Sequence, residues 1–384
     1  MAKLSVLVVG GGVMGMATGC ALAAQDVEVT VLERFTLAHE WASSHGLSRA
    51  IRHEYGPLET YTRMVARSLI LWDELARETG RHLYTETGVL TLGQPDDGHT
   101  MPGYEVMRAV GLPVQRLTLQ ECQQRFPQFR PDGFGAITYN PIGGMLHATE
   151  CLLALSDRFR ARGGVLREGV HVARVEPSVD GARVRLADGS QIAADRVIVT
   201  AGPWVHDVLP DLSLPVRATR QQISYFSGLS PDDFAIGKFP VFLAGMHYYG
   251  FPMHGQGWFK AASHQFGATV DPNKPYTPDE AELDSVRAFL RNVIPSAANA
   301  RLATFDHCMY DLTPDEDFIL DKHPDTDNVV IGSGFSGHGF KFGILIGELL
   351  ASLTVGKPTE FALNRFRLDR FSRTDRQEVA RRLE

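Results

Sequence analysis

Four residues near the start of the sequence have the types and spacing needed to bind a dinucleotide. Gly10, Gly12 and Gly15 satisfy G-x-G-x-x-G, and Glu33 follows 18 residues after Gly15. In such a motif the first glycine permits a tight turn, the second lets a pyrophosphate approach the backbone, and the third lets a helix lie close to a sheet. The acidic residue can then accept the ribose hydroxyls of an adenosine. The spacing predicts dinucleotide binding and leaves NAD and FAD open.

The segments around this motif have the pattern of strand, turn, helix and strand. The β-branched run LSVLVV (4–9) precedes the glycines, the apolar segment VMGMATGCALAAQ (13–25) follows them, and VEVTVLE (27–33) carries the acidic residue. The helix N-terminus would direct N–H groups and the positive end of its dipole at phosphates. The start of the chain also imitates a signal peptide, but three consecutive glycines interrupt the apolar run, which favours strand and helix.

A second glycine-rich turn near the C-terminus favours FAD. The segment NVVIGSGFSGHGFKFGILIGELLASL (328–353) reads as a strand, a glycine-rich turn and an apolar helix. Between the two turns, GARVRLADGSQIAADRVIVTAGPW (181–204) reads as a hairpin that turns at Asp188 and Gly189, followed by a buried strand. Two such turns far apart in the chain suit a ligand long enough to be held at both ends, and FAD is such a ligand.

Five longer segments resemble the monomeric sarcosine oxidase family. They are SSHGLSRAIRHEYG (43–56), YYGFP (248–252), FKAASH (259–264), HCMYD (307–311) and GFSGHGFKF (334–342), in the order and approximate spacing of that family. The family consists of FAD-dependent amine oxidases and includes the N-methyltryptophan and pipecolate oxidases. The resemblance covers essentially the whole chain. It departs from the usual pattern at Leu47, where HGLSR replaces the commoner HGDTR and a local salt bridge is lost.

The resemblance implies an α/β flavoprotein of two domains, similar to D-amino acid oxidase and glutathione reductase. A Rossmann-like FAD-binding domain is joined to a substrate domain built on an antiparallel sheet. The 384 residues exceed what one core usually supports. Because the nucleotide motifs lie at the start, middle and end of the chain, we expect the FAD-binding domain to comprise 1–82, 145–211 and 311–384. We expect the substrate domain to comprise 83–144 and 212–310.

On the cofactor side, the resemblance implies a covalent flavin. Cys308 matches the cysteine that forms a thioether to the flavin 8α-methyl group, and Arg49 is expected beside the isoalloxazine, where a cation favours the anionic reduced form. The residues expected to contact FAD are Gly10, Gly12, Val13, Met14, Gly15, Glu33, Arg34, Ser43, Ser44, His45, Arg49, Val172, Gly202, Cys308, Gly337, Gly339 and Lys341.

For the substrate, the resemblance implies that two cationic side chains bind its carboxylate. Arg52 and Lys341 match the family's carboxylate-binding pair, in which arginine binds bidentately and lysine supplies a point charge. Tyr249 and Tyr310 match aromatic residues that line the pocket, and we expect Tyr249 to contact substrate. Binding of the carboxylate by this pair would orient the C–H bond beside the substrate nitrogen for oxidation.

The resemblance assigns catalytic roles to Lys260, His264, Arg49 and Tyr310. In a strand, Lys260 and His264 share one face, so both are expected to point into one cavity. The lysine matches the family residue that activates O₂, where its fixed positive charge stabilises superoxide. The histidine would influence which protonation state of the substrate amine reacts. The alternative interpretation of this strand is an amphipathic edge with solvated polar residues.

Bulk properties exclude several classes of partner. The net charge is −7 with both signs interspersed, so neither nucleic acid nor a membrane surface is indicated. The four cysteines contain no CxxC pair, which argues against a zinc site or a disulfide framework, and no metal site is predicted. Cys20, Cys122 and Cys151 are interpreted as structural. A monomer in a reducing cytoplasm fits these features.

The leading hypothesis is an oxidase that converts a secondary amino acid, such as sarcosine, with O₂ and water to an amine or imine, a carbonyl product and H₂O₂. The alternatives are a cyclic imino acid oxidase, a flavin dehydrogenase with another electron acceptor, an NAD-dependent dehydrogenase and a non-catalytic binding protein. The substrate's substituents stay open, because pocket volume depends on residues such as Phe242, Met246 and His247.

Overall fold

The computed structural model describes residues 3–245 and 247–371. In chain order the strands are β1 Leu4–Val9, β2 Val27–Leu32, β3 Arg49–Ile51, β4 Tyr84–Glu86, β5 Val89–Gly93, β6 Gln115–Arg116, β7 Ala136–Asn140, β8 Gly144–Leu146, β9 Val165–Arg167, β10 Val172–Ser178, β11 Gly181–Leu186, β12 Gln191–Ala194, β13 Arg196–Val199, β14 Arg217–Ser227, β15 Val241–Ala244, β16 Tyr248–His254, β17 Trp258–Ser263, β18 Arg301–Leu312, β19 Ile319–His323 and β20 Thr326–Ser333. The α-helices are α1 Val13–Ala23, α2 Glu59–Thr79, α3 Thr100–Ala109, α4 Leu119–Arg125, α5 Ala148–Ala161, α6 Val205–Val208, α7 Pro231–Phe234, α8 Glu280–Val293 and α9 Gly343–Val355.

A six-stranded sheet in the order β19-β20-β13-β1-β2-β9 carries the N-terminal glycine motif. Its strands are parallel except β19, which runs antiparallel to β20. Successive residues of β1 point to opposite faces. Val6 and Val8 join the core with α1, α2, α5 and α9, whereas Leu7 and Val9 join the core with the antiparallel sheet β10-β11-β12. Burial on both faces explains why β1 is continuously apolar.

An eight-stranded sheet in the order β18-β14-β17-β16-β15-β5-β7-β6 forms the other large layer. Its neighbours pair antiparallel except β15 and β5, which are parallel. One face packs against α8 through Phe289 and Leu290, which join a core that contains Phe226, Phe242 and Phe259. β16 and β17 form a hairpin, with its turn at residues 255–257.

Helix α2 packs in the helical layer of the six-stranded sheet, because its apolar residues recur at helical spacing and so form one face that joins the core with α1, α5 and α9. Tyr61, Met64, Val65, Leu71 and Trp72 are buried on one face, while the opposite face is charged. The helix ends at Gly80, whose φ of 69° provides a left-handed C-cap. Its packing fixes the segment that leads into it, residues 52–58, which contributes to the site described below.

The sheets confirm the predicted α/β fold with one largely parallel and one largely antiparallel layer. A three-stranded sheet, β3-β8-β4, joins segments from the two predicted domains. The assignment of domains remains a prediction: the FAD-binding domain would comprise 1–82, 145–211 and 311–384, and the substrate domain 83–144 and 212–310. Residues 372–384 lie outside the described residues. In the ranges that the structure describes, no helix is long and apolar enough to cross a bilayer.

Candidate active site

A cavity of about 1060 Å³ is lined by residues of both large sheets. Val9, Leu32 and Thr200 contribute from the carboxyl ends of parallel strands, and Tyr249 and Lys260 contribute from the antiparallel sheet. In open α/β sheets, ligands bind outside the carboxyl ends of the strands. The volume lies at the upper end of the range for small-molecule pockets, roughly 300–1,000 Å³, and so suits a large cofactor with a small substrate.

The glycine turn at the start of the cavity leaves no room for side chains. A Cβ on Gly10 would lie 2.5 Å from the Thr200 carbonyl oxygen, and φ at Gly10 is 105°, a conformation that favours glycine. A Cβ on Gly15 would lie 1.8 Å from the Gly10 carbonyl oxygen. The Val13 amide at the start of α1 donates to the Ser44 hydroxyl at 3.0 Å. The turn therefore brings the start of α1 directly to the cavity wall.

Glu33 lies at the end of β2 with its carboxylate held in place. Its Oε2 accepts the Gly11 amide at 2.7 Å, and its Oε1 accepts the Phe35 amide at 2.9 Å. Burial alone would raise the pKa of Glu33, but hydrogen bonds from His39, Phe35 and Gly11 outweigh burial and lower it. Oε1 also faces His39 Nε2 at 3.5 Å, but Oε2 has one partner and keeps a second lone pair, so Glu33 can still accept a hydroxyl group. These properties fit the ribose of an adenosine.

The predicted cofactor residues converge on this cavity. The Ser43 hydroxyl is buried on its wall, without a hydrogen-bond partner in the described ranges. Together with the glycine turn and the ionised Glu33, it gives donor and acceptor groups that fit FAD. The predicted FAD contacts that line the cavity are Gly10, Gly12, Val13, Met14, Glu33, Arg34, Ser43, Ser44, Arg49, Val172, Gly202, Cys308, Gly337, Gly339 and Lys341.

Two predicted cofactor residues do not line the cavity. Gly15 lies beneath the turn, against Gly10, and acts through close packing. The His45 ring is directed at Asp306, with Nε2 2.8 Å from Oδ1. The expectation that His45 contacts the flavin stays a prediction, and the His45 carbonyl oxygen accepts a hydrogen bond from Arg49.

Arg49 and Cys308 are in contact on the cavity wall. Arg49 Nη2 lies 3.5 Å from Cys308 Sγ, and it also donates to the Ser43 carbonyl at 3.0 Å. Its Nη1 donates to the Ser48 carbonyl at 2.9 Å. Burial would lower the pKa of Arg49, but the negative charges that Cys308 and Tyr249 can carry raise it. The guanidinium is thus a fixed, permanent cation beside the thiol.

Lys260 extends a buried ammonium from β17 toward the segment before β3. Its side chain is 1% exposed, and Nζ donates to the Ser48 carbonyl at 2.9 Å. Nζ also lies 4.4 Å from the centre of the Phe251 ring. Burial lowers the pKa of Lys260 to about 7, and the charge of Arg49 adds to the lowering. Lys260 and Arg49 share the Ser48 carbonyl, so the two cations lie close together in the same part of the cavity.

Lys341 and Arg52 form a second pair of cations around one tyrosine. Lys341 Nζ donates to the Tyr55 hydroxyl and to the His338 carbonyl, both at 2.9 Å. The Arg52 guanidinium lies 4.8 Å from the centre of the Tyr55 ring and donates to the Glu54 carbonyl. Burial lowers the pKa of Lys341 well below its usual range, and the charge of Arg52 lowers it further. An anion bound between these cations would relieve their repulsion.

His264 and two tyrosines line the same cavity and contact one another. His264 Nδ1 lies 3.2 Å from the Tyr310 hydroxyl, and its ring meets Tyr249 edge-on with centroids 6.3 Å apart. Burial lowers the pKa of His264 to about 4, and the charges of Arg52 and Lys341 contribute. Burial also raises the pKa of both tyrosines. At neutral pH the imidazole is therefore neutral and the phenols are protonated.

Sequence reasoning missed three residues that support the site. Ser48 accepts from Lys260, Tyr55 accepts from Lys341, and Asp306 holds His45. Ser48 and Tyr55 lie inside the quoted segment 43–56, so the motif itself was the available signal. Met246, which was expected to affect pocket volume, lies outside the described residues. In the described part of the chain, no group of three or more His, Cys, Asp or Glu side chains could hold a metal ion.

Comparison with known proteins agrees with these observations. Residues 5–353 match the family described as FAD dependent oxidoreductase. The chain is 36% identical over 378 residues to the monomeric sarcosine oxidase of Bacillus sp. (strain B-0618), a match that covers 95% of each protein. It is 31% identical over 374 residues to the N-methyl-L-tryptophan oxidase of Yersinia pestis (strain Pestoides F), covering 95% of this chain and 99% of the relative.

A solved structure gives the same picture for the fold. The amino acid oxidase NikD, described as essential for nikkomycin biosynthesis and solved in an open form, has a TM-score of 0.80 to this chain. Its sequence identity is 26%, and the similarity covers 95% of this chain and 98% of NikD. The similarity therefore spans both large sheets.

Proposed function

The chain belongs to the FAD dependent oxidoreductase family, as a relative of the sarcosine and N-methyltryptophan oxidases, and from that premise we propose that it oxidises secondary amino acids with O₂. The proposed substrate is sarcosine or another N-methyl amino acid, and the products are an amine or imine, a carbonyl compound and H₂O₂. The single observation that carries the proposal is that one cavity is lined by Arg52 and Lys341, by Arg49 and Lys260, and by His264.

The residues around the cavity each supply a part of this reaction. The glycine turn, Glu33 and Arg49 would hold FAD, which would supply the chemistry of hydride acceptance and electron transfer to oxygen. Arg52 and Lys341 hold the substrate carboxylate and so fix the orientation of the reacting C–H bond. His264, being neutral, can accept a hydrogen bond from the substrate amine, and Tyr310 orients the imidazole through Nδ1. Lys341 and Tyr310 are buried and Arg52 and His264 are half-buried, so water is largely excluded and each charge interaction is strengthened.

We also propose that the cofactor is attached through Cys308, and that the protein acts as a monomer in the cytoplasm. Support for attachment comes from the position of Cys308 on the cavity wall beside Arg49. Support for the monomer comes from the 36% identical relative, which is itself named monomeric. The reducing compartment is supported by Cys20, Cys122, Cys151 and Cys308, all of which are buried and free.

The proposed function is tested by screening the purified yellow protein against a panel of amines for peroxide. The panel contains sarcosine, larger N-methyl amino acids, and the cyclic imino acids proline and pipecolate. We expect peroxide and loss of the flavin colour under anaerobic conditions with at least one N-methyl amino acid. Turnover confined to the cyclic compounds would establish the imino acid alternative. Rapid bleaching by amines but slow reoxidation in air would instead establish a dehydrogenase.

Replacing Lys341 with Met is expected to lower kcat/KM by roughly 10- to 100-fold, because one charged hydrogen bond to the carboxylate contributes about 1.5–3 kcal/mol. Burial lowers the pKa of unliganded Lys341, so carboxylate binding should take up a proton, and KM should rise with pH. Steady-state kinetics across pH measures both effects.

A matched control is Lys357→Met, which removes an exposed lysine whose Nζ donates to Gln25. That variant should keep the parental kinetics. A methylamine without a carboxylate should react equally with the parent and with Lys341→Met. An equal loss of kcat/KM for substrates with and without the carboxylate would contradict the proposed binding of the carboxylate by Lys341.

A further inference from the structure

Glu54 is a buried carboxylate for which the proposed reaction has no use. Its side chain is 3% exposed and lines the cavity, and neither carboxylate oxygen has a hydrogen-bond partner of good geometry among the described residues, although Asn140 and the backbone of residues 53 and 54 lie near enough to lower its pKa. The Thr91 hydroxyl on β5 lines the same cavity and is buried, also without a partner in the described ranges. Polar groups that are buried in folded proteins are nearly always satisfied. Here the unsatisfied groups lie on the wall of a ligand cavity.

The neighbouring cation does not neutralise this carboxylate through a hydrogen bond. Arg52 Nη1 donates to the main-chain carbonyl of Glu54, so the guanidinium is directed to the backbone and not to the side chain. At longer range the charge of Arg52 opposes the rise in the pKa of Glu54, and Glu54 opposes the lowering of the pKa of Lys341. Glu54 therefore lies beside the two groups proposed to hold the substrate carboxylate.

A buried carboxylate without well-formed hydrogen bonds is unfavourable, and a donor on a bound ligand can satisfy it. Burial raises the pKa of Glu54, and the charge of Arg52 together with hydrogen bonds from Asn140 and from the backbone of residues 53 and 54 offsets only part of that rise. A donor on the ligand would satisfy the carboxylate oxygens, and a cationic donor would also keep the carboxylate ionised. Removing such a donor would leave the carboxylate buried and unpaired again, which gives strong discrimination between substrates.

We propose that Glu54 binds a positively charged donor on the substrate side chain, which makes N-methyl amino acids with basic side chains the preferred substrates. This inference rests on the proposed function and specifies its substrate class. Arg52 and Lys341 hold the α-carboxylate, and Glu54, two residues from Arg52, holds the basic group. A substrate whose carboxylate and basic group are both bound has one orientation in the cavity, and that orientation presents one C–H bond for oxidation.

The test compares substrates that have the same number of heavy atoms and differ in charge. Nα-methylornithine is paired with Nα-methylnorleucine, and Nα-methyllysine with Nα-methyl-2-aminoheptanoate, so that an ammonium replaces a terminal methyl. Anaerobic loss of flavin colour and kcat/KM are measured for each. We expect the holoenzyme to prefer the basic member of at least one pair by about 10- to 100-fold. Glu54→Gln should abolish that preference, mainly by slowing the basic member.

The control is Glu59→Gln, which removes the same charge from an exposed residue in the first turn of α2 that pairs with Arg63. It should retain the preference. The inference is overturned if the unmodified enzyme shows no preference in either pair, a result that does not depend on any variant folding. It is also overturned if Glu54→Gln slows both members equally. If sarcosine and every other N-methyl amino acid leave the flavin colour unchanged, the proposed function fails as well.

Discussion

Replacing Lys260 with Met is expected to slow the reaction of the reduced enzyme with O₂ by roughly 10²- to 10³-fold, the loss typical when one preorganised electrostatic group is removed. Lys260 Nζ is buried and held by the Ser48 carbonyl, so its position is fixed before negative charge develops on oxygen, and below its pKa of about 7 it carries its full charge there. Methionine has similar length and no charge. Anaerobic reduction by the amine should be almost unchanged, because the lost interaction exists mainly in the oxidative half-reaction. Stopped-flow measurement of each half-reaction separates the two.

A structural role for Lys260 predicts a different outcome, namely similar losses in both half-reactions. Unfolding experiments on flavin-free protein give an independent control. Burial lowers the pKa of Lys260 from 10.5 to about 7. Between these pH values the unfolded chain binds more protons, so this lysine makes the free energy of unfolding rise with pH. Below about pH 7 the folded state carries the full cost of the buried charge, and Lys260→Met should be at least as stable as the parent there. A variant less stable at pH 6 would favour the structural role.

The parts of the site that the sequence predicted depend on local rules. The turn from Gly10 to Gly15 and the end of β2 at Glu33 form because strand, turn and helix follow each other within about 30 residues. The turn needs residues without a side chain, and the sequence shows this directly as glycines. A Cβ on Gly15, for example, would overlap the Gly10 carbonyl oxygen. The hairpin that carries Lys260 was predictable for the same reason, because its turn contains two glycines, Gly255 and Gly257, between apolar strands.

Contacts across the chain were not predictable in this way. Lys260 and Ser48 are 212 residues apart and meet only when β17 packs against the segment before β3. His45 was expected at the flavin, yet its ring is directed at Asp306 on β18. The residue type of Glu54 gives no sign of burial, and only its 3% exposure shows that it is buried on a cavity wall. Burial and side-chain direction depend on tertiary packing, which residue types alone do not determine.

Replacing Cys308 with Ser is expected to convert an acid-stable flavin into one that is released entirely on acid precipitation. Cys308 lies on β18 opposite Gln221 of β14, which fixes its side chain on the cavity wall. Its sulfur lies 3.5 Å from Arg49 Nη2 and 3.6 Å from the Ser43 carbonyl oxygen. Serine preserves the size of the side chain, but its hydroxyl is a much weaker nucleophile than a thiolate and should form no thioether. The flavin absorbance in the supernatant and in the pellet measures the change.

The matched control is Cys122→Ser, because Cys122 is also buried and free but lies on α4, away from the cavity. In that variant the yellow colour should stay in the pellet, as in the parent. Colour that stays in the pellet of Cys308→Ser would contradict attachment at this sulfur, and colour in the supernatant of the parent would contradict attachment altogether. In either case Cys308 would be one more buried thiol, and in the second case the cavity would have to retain FAD through non-covalent contacts, such as those of the glycine turn, Glu33 and Arg49.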